Sequence, residues 1–454
     1  MGNKKNQVDL LHGPILKSLL IFMIPLVISS AFQQLYNAVD TAIVGNYLGE
    51  NSLAAIGACS SVFELLIGFS NSLASGLSIV AARAFGSGDG EQMKRSAAGS
   101  IVIGVVTTIV LTLLSSVIMM PLLRLINTPE SIIGESYAYI RVICLWIVVM
   151  FAYNFSSAML RATGNSVMPL VFLIFSSLLN IGLDIFFITV LHRGVAGAAE
   201  ATVIAQGVSA VLCIYYILKK CPELVPSGKH FAFDKTLYAD LAGQGYSMAL
   251  MGSIVSCGSI ILQSGINSLG TEIIAGHVAA RKVYAICNLP FISMGVACST
   301  FIGQNKGADQ GDRIVKAIRI AYIYNVVAAA LMTAFLWVAA PSLIHLISGS
   351  DNTVILSNGS RFLRVVGPFY AVLGILMVTR MSLQGIGAKI VPLISSVIEF
   401  AGKILFARIF IPMFAYNAVI WCEPLIWCAM TAQLLYAFYT NKYIKETKKK
   451  MREA

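Results

Sequence analysis

The stretch Asn46-Tyr47-Leu48-Gly49 returns 221 residues later as Asn267-Ser268-Leu269-Gly270. At the same offset Ala54, Ala58 and Phe63 meet Ala275, Ala279 and Tyr284, and the turn Phe85-Gly86-Ser87-Gly88-Asp89 meets Lys306-Gly307-Ala308-Asp309-Gln310. Farther along, the offset becomes 223: Arg141-Val142 meets Arg364-Val365, and Leu160, Gly164, Pro169 and Leu170 meet Leu383, Gly387, Pro392 and Leu393. Register held over so long a span marks a duplicated unit. In an apolar chain, duplication points to a secondary transporter, whose substrate site lies between or within its repeats.

Hydrophobic residues make up 57% of the chain and charged residues 12%, about half the charge of a soluble domain. Segments 96–123 and 320–344 carry no charged side chain, and each exceeds the roughly 20 residues a helix needs to cross hydrocarbon. Both mix small residues with aliphatics, as helices packed on other membrane helices do. The net charge of +11 does not indicate nucleic acid, because the basic residues sit in short loops between apolar spans and in the tail 442–452. The nine cysteines show no paired short spacing, so neither disulfides nor a cysteine metal site is expected. The polar start lacks a cleavable leader pattern, and Gly2 lacks the hydroxyl residue of a myristoylation signal.

Apolar windows read against glycine, proline and charge give an all-α membrane protein of twelve transmembrane helices in two pseudo-symmetric six-helix bundles. The first six span 15–45, 52–82, 94–125, 131–159, 167–190 and 195–218, and the second six 236–267, 274–302, 314–346, 354–383, 389–411 and 415–440. The polar connection 219–235 separates the halves, giving an N-lobe of 1–224 and a C-lobe of 225–454. An even number of spans per half makes the repeats parallel, related by an axis along the membrane normal. With the N-terminus inside, inner loops and tails collect 22 of the 32 Lys and Arg residues. Both termini are therefore expected in the cytoplasm.

A charge inside a span is costly unless paired or hydrated, so each one is a candidate site. Asp40 lies in span 1, Glu64 in span 2 and Asp184 in span 5. Gln33, Asn37 and Asp40 follow i, i+4, i+7 within Gln33-Gln34-Leu35-Tyr36-Asn37-Ala38-Val39-Asp40-Thr41 and share one helix face. Asn180 and Asp184 stand one turn apart on another. With a hydroxyl such as that of Thr202 they form an all-oxygen set suited to a hard monovalent cation, or the carboxylates could hold a proton instead. The plainer alternative is that these acids fix helix packing through neighbours. Pro25, upstream of Asp40, removes a backbone hydrogen bond and would act as a hinge or as an ordinary kink.

In the second half Glu399 and Lys403 at i, i+4 read as an internal ion pair, with Arg408 beyond. Glu272 and Glu423 fall near outer helix ends, where solvation is the simpler account. The aromatics Phe32, Tyr36, Tyr139, Tyr153 and Phe155 could line a cavity for an organic cation or could be packing.

These features resemble the multidrug and toxic compound extrusion (MATE) family. The resemblance rests on the twelve spans, on Val39-Asp40-Thr41 followed by Gly45 and Leu48-Gly49, on Gly303-Gln304 followed by Gly307-Ala308, and on Asn180 with Asp184. It is similar to the prokaryotic DinF-like branch, which implies that Asp40, Asn180, Asp184 and Thr202 hold H⁺ or Na⁺. It also implies that Tyr139 and Asn154 face the cavity. Span 10 carries no acid, unlike the NorM-like branch. Gln34, Asn37 and Glu64 complete the expected substrate cavity, although Glu64 is outside the branch's pattern.

The expected activity is antiport: export of an organic, cationic or amphiphilic compound against entry of H⁺ or Na⁺ across the cell membrane. No other cofactor, no nucleic acid and no enzyme chemistry are expected; the chain would work as a monomer among membrane lipids. A flippase for lipid-linked saccharides is the alternative, but it needs a basic cavity where this one is acidic. A membrane enzyme would need a catalytic cluster, and His12, His192, His230, His277 and His345 are scattered.

Overall fold

The computed structural model describes residues 7–453 and is helical, with no strand among them. Eleven helices are long and apolar enough to cross a membrane, and a bent pair makes the twelfth span. Spans 1 to 3 are α1 (Ile15–Leu48), α2 (Glu50–Gly86) and α3 (Gly90–Leu125). The fourth span is α4 (Ile133–Leu145) and α5 (Ile147–Ala162), bent by 51°. The next are α6 (Val167–Ile185), extended by a π-helical turn at Phe186–Val190, and α7 (Gly194–Lys220). The second half runs through α8 (Lys235–Ile266), α9 (Thr271–Cys287) with α10 (Leu289–Gly307), α11 (Gly311–Ser348) and α12 (Thr353–Gly385). After it come α13 (Ile390–Leu405), a π-helical turn at Phe406–Phe410, α14 (Ile411–Phe414), α15 (Tyr416–Thr440) and the basic α16 (Lys442–Glu453).

The repeat seen in the sequence has a backbone cause. Gly49 and Gly270 have φ of 86° and 95°, and Gly164 and Gly387 have 89° and 99°. Only glycine takes this left-handed region cheaply, so each copy needs it at the same corner. The two π-helical turns also fall at equivalent places, after α6 and after α13.

The chain divides into two compact units. One contains Ile28–Gly252 with Gln7 and Val8; the other contains Asp9–Val27 and everything from Ser253. In the first unit α2 packs on α5, and α5 and α6 pack on α7. In the second, α12 packs against α9, α10, α11 and α15. Gly76 shows how tight the first unit is: a Cβ there would lie 2.5 Å from the Gln244 carbonyl oxygen. Many large apolar side chains face outward, Val117, Leu125 and Val338 among them, the last 82% exposed. Such surfaces suit lipid, and helices suit it too because they satisfy their own backbone polar groups.

Candidate functional site

Within the first unit α1, α2, α6 and α7 surround a cavity of about 410 Å³. The face of α1 read from the sequence turns toward it: Gln33, Tyr36, Asn37 and Asp40 all line the wall. Asn180 of α6 and Thr202 of α7 line it as well. Asp184, one turn beyond Asn180, is 0% exposed and lies behind the wall. The carboxyls of Asp40 and Asp184 are within hydrogen-bonding reach of each other.

The pair is held by a short polar network. With its amide turned to satisfy both neighbours, Asn180 donates to Asp184 Oδ2 at 2.8 Å and accepts the Thr202 backbone N–H at 3.1 Å. The Tyr36 and Thr202 hydroxyls lie 3.3 Å apart. Oδ1 of Asp40 and Oδ1 of Asp184 are both buried without a hydrogen-bond partner. Two unpartnered carboxylate oxygens, an amide and a hydroxyl are hard oxygen donors, and two adjoining carboxyls can share a proton. The residues present therefore fit either a monovalent cation or H⁺. Among the described residues, no lysine, arginine or histidine lines the cavity.

Of the expected substrate residues, Asn37, Glu64, Tyr139 and Asn154 line the cavity. Gln34 is a correction: it is exposed and outside the lining, which Gln33 occupies. Gln33, Asn37 and Asp40 at i, i+4 and i+7 lie at the middle of that face, whereas Gln34, three before Asn37 and seven before Thr41, falls at its edge. Asn154 donates its amide to the Met150 carbonyl at 3.0 Å. Among the aromatics, Tyr36 and Tyr139 line the wall while Phe32, Tyr153 and Phe155 join the apolar core. Pro25 is buried within α1, whose helix continues through it. Sequence reasoning missed Ser60, Asn71 and Gln206 as lining residues. Their signal was helical spacing: Ser60 and Asn71 are four before and seven after Glu64, and Gln206 is four after Thr202.

The second unit holds its charges differently. Lys403 Nζ donates to Glu399 at 2.8 Å and to the Ser259 hydroxyl at 2.9 Å, the ion pair expected from spacing. Glu423, expected in solvent at a helix end, is instead 12% exposed and accepts from Arg281 at 2.7 Å. That correction has a simple cause, because the partner lies on α9 and nothing along α15 announces it. Arg281 also covers the Tyr284 ring at 4.4 Å. Beside them is a cavity of only about 70 Å³. Glu272 is exposed and accepts the Asn352 amide at 2.8 Å.

Comparison with known proteins agrees with the repeat. The MatE family model matches twice, over residues 25–186 and 248–409. A curated relative, "Probable multidrug resistance protein YpnP" of Bacillus subtilis, is 27% identical over 392 residues, covering 86% of this chain and 87% of the relative. "Multidrug export protein MepA" of Staphylococcus saprophyticus is 21% identical over 429 residues, with 93% and 92% covered. A solved structure of MATE in the bent conformation shares the fold at a TM-score of 0.88 and 23% identity, covering 98% of this chain and all of that one. Matched by the family model in both of its halves, this chain belongs to the MatE family of multidrug efflux transporters.

Proposed function

We propose that this transporter exports organic cations by antiport with H⁺ or Na⁺, and that Asp40 and Asp184 are the coupling groups. The observation that carries this reading is a pair of adjoining carboxyls with unpartnered oxygens, held by Asn180 and Thr202 at the wall of a cavity that no basic residue lines among the described residues. Two carboxylates removed from water repel one another and need a cation or a proton between them. When the pair takes a cation from outside, its field on the cavity weakens and a positively charged substrate is released outward. When that cation leaves to the cytoplasm, the restored negative charge draws the next substrate. Coupling then follows from two ligands competing for one set of charges in two facing states. Inward movement of the cation is aided by the membrane potential, about 2.3 kcal/mol per charge per 100 mV.

The excess of Lys and Arg in one set of loops supports a cell-membrane orientation with both termini cytoplasmic. The test is efflux of ethidium, an organic monocation, from proteoliposomes of known orientation. A Na⁺ gradient and a pH gradient are imposed one at a time. One of them is expected to drive export severalfold above the leak. Equal rates with and without each gradient would overturn the proposal.

A further inference from the structure

We infer that Glu64 is a substrate-recognition residue that holds the second positive charge of dicationic aromatic compounds. The inference rests on the organic-cation reading above and deepens it. Glu64 projects from the cavity face of α2, the face that also carries Ser60 and Asn71. It is exposed, and it makes no ion pair or hydrogen bond among the described residues. Among the described residues no basic side chain lines the cavity to neutralise it. The coupling acids differ on both counts. Asp184 is sealed behind the wall, Asp40 adjoins it, and Asn180 ties Asp184 to α7.

The cavity therefore contains one carboxylate, Asp40, backed by the buried Asp184, and a separate, unpartnered one at Glu64. A cation shared by Asp40 and Asp184 leaves the Glu64 charge in place. A substrate with one positive group is satisfied by the Asp40 end of the cavity. A substrate with two such groups can put one there and the other at Glu64. The wall beside Glu64 suits flat rings: Phe63 and Tyr139 have centroids 6.4 Å apart, and both line the cavity. Aromatic faces also attract cations held over them. A volume of about 410 Å³ falls within the usual range for a drug-sized site.

The test compares ethidium, a monocation, with propidium, a dication on the same ring system, binding to purified protein by fluorescence polarisation. The native protein is expected to bind propidium about tenfold more tightly than ethidium. Glu64→Gln should remove most of that preference and weaken ethidium less than about twofold. Displacement of either dye by Na⁺ or by acid should persist in the variant, because Asp40 and Asp184 are untouched. Glu64→Asp keeps the charge and should retain most of the preference, which separates a charge effect from misfolding. An unchanged propidium-to-ethidium ratio in Glu64→Gln, or no preference in the native protein, overturns the inference while leaving gradient-driven ethidium export intact. If neither dye binds the native protein, the organic-cation reading falls and this inference falls with it.

Discussion

The two units carry comparable numbers of acids within their spans, but they treat them in opposite ways. In the first, Asp40, Glu64 and Asp184 have no basic partner among the described residues, and two of them line an open cavity. In the second, Glu399 is bound to Lys403 and Glu423 to Arg281, and the cavity beside the latter pair is a sixth of the size. A buried acid with its own cation is structurally complete, whereas one without it calls for a cation or proton from elsewhere. Repeats with one backbone plan can thus divide the work, one half binding and the other bracing.

The largest effect that could break this contrast belongs to the unpaired acids. Asp40→Asn and Asp184→Asn keep the shape and remove the charge, so each should reach the membrane yet lose gradient-driven ethidium export. The expected loss is on the order of a hundredfold, the upper range of a coupling free energy between two ligands. Transport in proteoliposomes checks it, with protein amount and melting temperature as controls. Export at the native rate in both variants would mean that the first unit does not couple.

The paired acids should fail in another way. Glu399→Gln leaves the buried Lys403 ammonium with the Ser259 hydroxyl as its remaining hydrogen-bond partner among the described residues. Removing one member of a buried pair costs roughly 3–5 kcal/mol in soluble proteins, because the other charge stays behind. A lower melting temperature and yield are expected, with nearly native export per folded molecule. Glu399→Gln combined with Lys403→Met should recover most of the stability. If Glu399→Gln instead melts normally but stops coupling, the second unit binds as well as braces.

Much of this was legible in the sequence because membrane spans announce themselves by length and apolarity, and repeats by register. Spacing marked the α1 face of Asp40 and the Asn180–Asp184 face of α6, and a charge in a span is conspicuous. It was the family resemblance that grouped them with Thr202, since contacts between helices are set by packing. The break at Trp146 was not, since Leu145-Trp146-Ile147 contains neither proline nor glycine to mark the bend between α4 and α5. The π-helical turns likewise lack a residue signature. Gln34 was misplaced because it sits at the edge of the α1 face, where spacing to Asn37 and Thr41 admits it but the cavity wall is formed by Gln33. Glu423 was misread because an ion pair between helices 142 residues apart is a property of tertiary packing. Glu64 was expected in the cavity as a charge in a span and does line it, although the rotation of α2 that turns it there is set by what α2 packs against.

The smallest effect sharpens the comparison through the two helices shared between the units. The chain passes from one unit to the other within α1, after Val27, and returns within α8, after Gly252. Pro25 stands two residues before the first crossing, and α8 contains no proline. Proline cannot donate to the carbonyl of Ile21, so α1 lacks one internal bond near the crossing where α8 keeps its own. If that missing bond makes α1 the more pliable helix, Pro25→Ala should stiffen it. Export should then slow by about threefold to tenfold, roughly 1 kcal/mol at the barrier. Ethidium affinity and its displacement by Na⁺ or acid should stay native, because Asp40 and its neighbours are unchanged. Backbone amides in the turn after Ile21 should exchange more slowly with solvent deuterium, and those of α8 should not change. Native export combined with slower exchange would show that pliancy at Pro25 does not limit the cycle, leaving the two crossings mechanically equivalent.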